Sequence, residues 1–360
     1  MGELVETFDR SRLTTAASRI GDVASNHTYT IIGDVNHADA APHEVIANPE
    51  TMHALSSAGV KHIAMEMFLV ADQPVLDAYE DGTISDRTME YVVDKMSAPS
   101  LTQDGMGLDD THQRNAYFDI ARNAKAEGIR VHGVNGSEGA LPPDQIGPVN
   151  DLIGGMKLTM ALAIENNPDF FDMKRIDQGN FMTKTLYENG YNDEEVIAGL
   201  TMTGFRKQSF VDLDDEQGLR EILIDRLAGD PDLAKRIQDV TGGEKSVVIY
   251  GQMHMARPAG DIDGTLPDSA NIAIYPDQAE FAAKVEPAMA LAAKEFGMDF
   301  SDAPDFKLDV KTGQWTTMET GDVAKVVIPP LPSMPDMAAQ EEVPSLQRKT
   351  PELSLPEIRF

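Results

Sequence analysis

The chain contains no cysteine. That excludes disulfides, thiolate nucleophiles, cysteine-based zinc fingers and lipid attachment through a cysteine, and it fits a reducing compartment. Basic residues are scarce: 30 Lys and Arg stand against 60 Asp and Glu, a formal net charge of −30 over 360 residues. A field of that sign opposes contact with phosphate backbones and anionic lipid surfaces. Nucleic acid is therefore not expected as a partner, whereas cationic partners, metal ions and neutral small molecules are compatible. No run approaches the ~20 apolar residues of a membrane span. The start, MGELVETFDRSRLTTAASRIGD, has no apolar stretch behind a basic one, so no signal peptide is read there. A cytoplasmic location is the expectation, with leaderless export as the alternative. Signature motifs are missing too. No GxGxxG follows the first strand, and no GxxxxGK[ST], HExxH or GxSxG occurs. The usual support for nucleotide binding, zincin and α/β-hydrolase chemistry is absent with them.

What is present suffices for a core: 41% of the residues are hydrophobic, near the globular average. Leu4, Phe8, Leu13, Ala16 and Ile20 predict a helix from Glu3 to Ser25. HTYTIIGD predicts a buried strand ending at Gly33 and Asp34, and VKHIAMEMF, from Val60, a second. Helices are predicted over 41–58, 72–80, 85–97 and from Thr111 to Glu127, the last capped by Asp109 or Asp110 after a loop with Gly105 and Gly107. IRVHGVN is the third strand, SVVIYGQMH the fourth and NIAIYPD the fifth. Between the third and fourth, residues 140–243 show helical spacing over 152–165, 172–188, 193–200 and 214–240 and no convincing strand. An amphipathic helix runs from Ala279 to Phe296, and FKLDVKTGQWTTM reads as a hairpin around Lys311 to Gly313. The 19 Met residues show no metal-binding repeat and read as adaptable core filler.

Strands alternating with helices predict an α/β fold: a mainly parallel central sheet flanked by helices, with a helical insertion before the fourth strand. The expected organisation is an N-terminal helix (1–27), an α/β domain (28–300) with its insertion at 140–243, a hairpin region (301–328) and a tail (329–360). Seven of the 21 prolines fall in the last 32 residues, a composition that resists helix and sheet. Such a tail suits docking of a protein partner, or export of the chain as an effector.

Ligands in open α/β sheets bind beyond the carboxyl ends of the strands. The first strand ends in Gly33, Asp34, Val35, Asn36 and His37; the second carries Glu66 between Met65 and Met67; the third ends in Asn135. The fourth leads through Gly251, Gln252 and Met253 to His254, with Arg257 just after. Asp34 and Asn135 also have ordinary uses as turn and cap residues. Glu66 follows an apolar run, and a carboxylate there must be paired or protonated. His62 and His132, inside strands, read as structural. His27 and His53 lie away from the strand ends, whereas His43 and His112 stand where they could approach the rim.

Histidine is suited to proton transfer near neutral pH. With His37, Glu66 and His254 together, one histidine can activate water while the other, or Arg257, stabilises a developing oxyanion. The same His37, Glu66 and His254 suit a divalent Mn, Fe, Co or Zn ion with a position open for water. Residue types alone leave both versions open.

Taken in order, IIGDVNH, HIAMEMF, YFDIARNAKAEGIRVHGVN and VVIYGQMH resemble the EreA/ChaN-like superfamily, over roughly Thr28 to Asp263. That group joins erythromycin esterases, haem-uptake ChaN proteins and Tiki/TraB metalloproteases. The resemblance implies an α/β fold with a helical insertion and a site shared by the two motif histidines and the glutamate. In the esterase branch His37 would be the base and Glu66 its partner; in the Tiki branch His37 and His254 would be metal ligands. Asp34 stands where a glutamate is usual, and three residues separate Gly33 from His37. The lipoprotein leader of ChaN proteins and the membrane spans of the Tiki/TraB branch are not found in the sequence. The expectation is a His/Glu-dependent hydrolase of an ester, lactone or amide in a small molecule or peptide. His37, Glu66, His254 and Arg257 would do the chemistry, and Asp34, Asn36 and Asn135 would hold a cofactor. A non-catalytic haem- or metal-binding protein is the alternative.

Overall fold

A computed structural model describes residues 10–34, 41–97, 111–135, 143–202, 230–251, 262–284 and 304–317. Its β-branched and aliphatic runs form β1 (Tyr29–Asp34), β2 (His62–Leu69), β3 (Arg130–Asn135), β4 (Ser246–Gly251) and β5 (Ser269–Tyr275). β4 is buried at every position, as a strand covered on both faces must be. The predicted hairpin is β6 (Phe306–Asp309) and β7 (Gln314–Thr317). Its turn uses Gly313 at a φ of 68°, a conformation glycine adopts without a Cβ penalty. β6 also pairs in parallel with β5, so the hairpin extends the main sheet. The seven strands run in the order β3-β2-β4-β1-β5-β6-β7, all parallel except β7.

The helices before β4 are α1 (Arg10–Asn26), α2 (Ala41–Ala47), α3 (Pro49–Ser57), α4 (Gln73–Glu80), α5 (Asp86–Val92), α6 (Thr111–Ala126), α7 (Pro143–Glu165), α8 (Arg175–Glu188), α9 (Asp193–Met202) and α10 (Asp230–Thr241). α11 (Ile262–Thr265) precedes β5 and α12 (Gln278–Lys284) follows it. Among the described residues between β3 and β4 there is no strand, so the helical insertion stands. The single helix expected over 41–58 is two. Pro49 holds Asn48 in an extended conformation, and Asn48 Oδ1 accepts from the Glu50 N–H at 2.8 Å, capping α3.

Alternate strand positions feed two cores. On one face Ile20, Ile46, Met52 and Ile120 meet Ile32, Ile63, Met65 and Ile249. Met156, Met160, Phe170 and Leu186 of the insertion belong to the same core. On the other face Leu233, Ile237, Ile262 and Leu266 meet Tyr29, Ile31, Ala64, Val248 and Tyr250. The chain divides into Met1–Glu319 and Thr320–Phe360. The second unit, with the expected tail, lies outside the described residues. No described helix is long and apolar enough to cross a membrane.

Candidate functional site

The strand order decides which carboxyl ends are neighbours. β3, β2, β4 and β1 are consecutive, and these are the strands whose ends carry or lead to every residue singled out in the sequence. Asp34, the last residue of β1, pairs in register with Gly251, the last of β4. The chain after β1 packs α2 on the first face through Val45 and Ile46. The connection after β4 ends in α11 on the second, through Ile262. Adjacent parallel strands whose following helices pack on opposite faces mark the topological switch point, where open α/β sheets bind ligands.

Glu66 sits beside this point. It is 4% exposed, and its Oε2 accepts from the Gly251 N–H at 2.8 Å. The backbone explains how it gets there. β2 pairs with β4 only as far as Met65 opposite Ile249. Beyond that, the Glu66 side chain supplies the acceptor that a continuing strand would have offered Gly251. The bond gives the buried carboxyl group the partner that a polar group withdrawn from water requires. Asn135, half-buried, closes β3 opposite Leu69, and Asp34 closes β1. His37 and Asn36 fall in the segment 35–40, and His254 and Arg257 in 252–261; all four lie outside the described residues.

Two cations at this edge escaped the sequence reading. Arg236 of α10 donates from Nη1 to the Val134 carbonyl at 2.6 Å. Burial pushes its pKa down, and Tyr250 acts in the opposite direction. Lys157 of α7, 1% exposed at its side chain, pairs at 2.6 Å with Asp72, in the single 3-10 turn (Val70–Asp72) that follows β2. Arg236 stands in an amphipathic helix, where a charged residue ordinarily faces solvent; Lys157 is the lone charge in the apolar stretch LIGGMKLTMALAI, the one local signal of its burial.

Two histidines are placed at the opposite edge. His62 and His132 lie near the amino ends of β2 and β3, with His62 Nδ1 2.9 Å from His132 Nε2 and His62 Nε2 3.1 Å from Glu244 Oε2. Burial pushes the His132 pKa down to about 4, with the charges of His62 and Arg130 adding to it. His43 is on α2, buried, with its ring edge-on to Tyr117 at 4.8 Å. His27 lies 3.3 Å from Asp268 and His53 3.4 Å from Glu127. Among the described residues no three His, Asp or Glu side chains gather as a metal site.

No family model matches the sequence, and no curated protein matches it. Among solved structures, the chain is similar to the type III effector HopBA1 at 14% identity and a TM-score of 0.41, over 72% of this chain and 82% of that one. It is also similar to ChaN of Campylobacter jejuni, a structure described for cofacial haem binding. That match has 14% identity and a TM-score of 0.36, over 71% of this chain and 85% of the other. Likenesses this distant assign no activity, ligand or family to this chain.

Proposed function

We propose that this chain is a hydrolase of an ester, lactone or amide bond in a small molecule or peptide, built on Glu66, His37 and His254 at the carboxyl edge of the sheet. One observation carries the reading. β2, β4 and β1 are adjacent, Asp34 stands opposite Gly251, and the buried Glu66 carboxylate is already bonded to that Gly251. His37 follows Asp34 by three residues and His254 follows Gly251 by three. Covalent geometry alone keeps each Cα within about 11 Å of its strand end.

In this reading His37 removes a proton from the attacking water, and Glu66 orients the imidazole and stabilises its cation. His254 and Arg257 face the oxyanion that develops on the carbonyl oxygen, and His37 returns the proton to the leaving group. A divalent ion held by His37, Glu66 and His254 would lower the pKa of a bound water and supply the same nucleophile.

The test is an ester, lactone and peptide-amide panel run with the wild type, His37→Ala and Glu66→Gln, with elemental analysis of each protein. Hydrolysis that falls about 10²- to 10⁴-fold is expected in both variants, the range for losing the general base or the carboxylate that orients it. Near-stoichiometric Mn, Fe, Co or Zn in the wild type only would select the metal-assisted version. No turnover of any panel member, with a haem Soret band lost in His37→Ala, would replace the hydrolase with a non-catalytic haem-binding protein.

A further inference from the structure

Past Met65, β2 stops matching β3. Met65 pairs with Gly133 and Leu69 with Asn135, so four steps of β2 run against two of β3. Alternation also fails: the consecutive Met67 and Phe68 both belong to the first core, where a regular strand sends every second side chain to the opposite face. Glu66 is the first residue of this excess. A bulged segment leaves its ladder, so its backbone groups need other partners and its aim depends on what grips it.

The grip is visible. Asp72 Oδ2 accepts from the Leu69 N–H at 2.8 Å, and Asp72 Oδ1 accepts from Lys157 Nζ at 2.6 Å. Gly133 makes room for the bulge, since a Cβ there would lie 2.1 Å from the Leu69 carbonyl oxygen. Its N–H donates to Gln73 Oε1 at 3.1 Å. Gly154 lets α7 approach the turn, a Cβ there falling 3.0 Å from the Ala71 carbonyl oxygen. Both charges of the pair are withdrawn from water, at 1% and 2% exposure. Such a pair is often no more stable than apolar residues of the same volume. What it does provide is direction, because each bond tolerates only a narrow geometry.

We propose that Lys157 and Asp72 are a positioning pair. Anchored on the insertion, they fix the bulged end of β2 and so aim the Glu66 carboxylate at the Gly251 N–H. This rests on Glu66 being the carboxylate of the proposed site.

The direct readout is the Gly251 amide in the ¹⁵N-labelled full chain, with Glu66→Ala as the broken-bond reference. The double variant Asp72→Leu/Lys157→Met keeps the volume apolar. In it, the Gly251 amide proton is expected to move by more than half the wild-type-to-Glu66→Ala difference, while the Val248 amide stays in place. Asp72→Asn, which keeps the shape and an acceptor for Leu69, is expected to give an intermediate shift and serves if the double variant does not fold. A wild-type Gly251 shift in either folded variant overturns the positioning role. Turnover is scored separately. On a panel substrate, kcat is expected to fall at least tenfold at unchanged KM. A chain that turns over nothing yet shows the Gly251 shift keeps the positioning and loses the hydrolase. Turnover that depends on Glu66 with no Gly251 shift does the reverse.

Discussion

His132 provides a pH-dependent stability term whose size follows from its surroundings. The ring is 4% exposed, and burial, followed by the charges of His62 and Arg130, takes its pKa from 6.5 to about 4. In the unfolded chain it has its ordinary value. Between these limits the unfolded state binds the proton and the folded state does not, so stability is fully present above about pH 6.5 and falls as the pH drops toward 4. At ~1.4 kcal/mol per pKa unit the whole loss is about 3 kcal/mol, of which about 2 kcal/mol is gone at about pH 4.5. His132→Gln keeps beside His62 Nδ1 an amide group that can donate or accept, and it cannot titrate in this range. Urea unfolding of wild type and variant at about pH 7 and about pH 4.5 isolates the effect, because the many carboxylates of this acidic chain titrate in both. The wild type should lose about 2 kcal/mol more than the variant over this interval. Equal losses would show that His132 is protonated in the folded state as readily as in the unfolded one, and would refute the reasoning.

Further outcomes follow from the same structure. Lys157→Met alone strands the Asp72 charge in the interior and should cost ~3–5 kcal/mol in urea unfolding, whereas the Asp72→Leu/Lys157→Met double variant, which strands no charge but leaves the Leu69 N–H without its acceptor, should cost only about 1–3 kcal/mol. Gly133→Ala forces a Cβ toward the Leu69 carbonyl oxygen and should destabilise by roughly 1–3 kcal/mol, read in the same assay. Asn48→Ala removes the α3 cap and should cost about 1 kcal/mol, seen as a lower thermal midpoint.

Much of the scaffold is written locally. YTIIG, SVVIYG and ANIAIY are continuous buried runs, and each lies in a strand. The insertion shows in the long helical stretch between IRVHGVN and SVVIYGQMH. Pro49 divides the helix expected over 41–58, because its constraint on Asn48 outweighs the apolar spacing. The strand order is not local. That β4 lies between β1 and β2, or that β6 joins β5, depends on packing between segments far apart in sequence. The excess after Met65 is hidden for the same reason: MEMF reads as a strand going on, and only the register with β3 reveals the departure. Glu66 was legible because a carboxylate behind IAM needs a partner. Arg236 was not, because its burial is set by what packs over α10, and Lys157 shows only in its apolar neighbours.

The most direct measurement is kcat/KM on the best ester or lactone substrate for wild type and Glu66→Gln, side by side. The account predicts a loss of about 10²-fold or more, with the variant still folded. Activity retained within a factor of about three in a folded Glu66→Gln would contradict it, since the base His37 would then need no carboxylate partner.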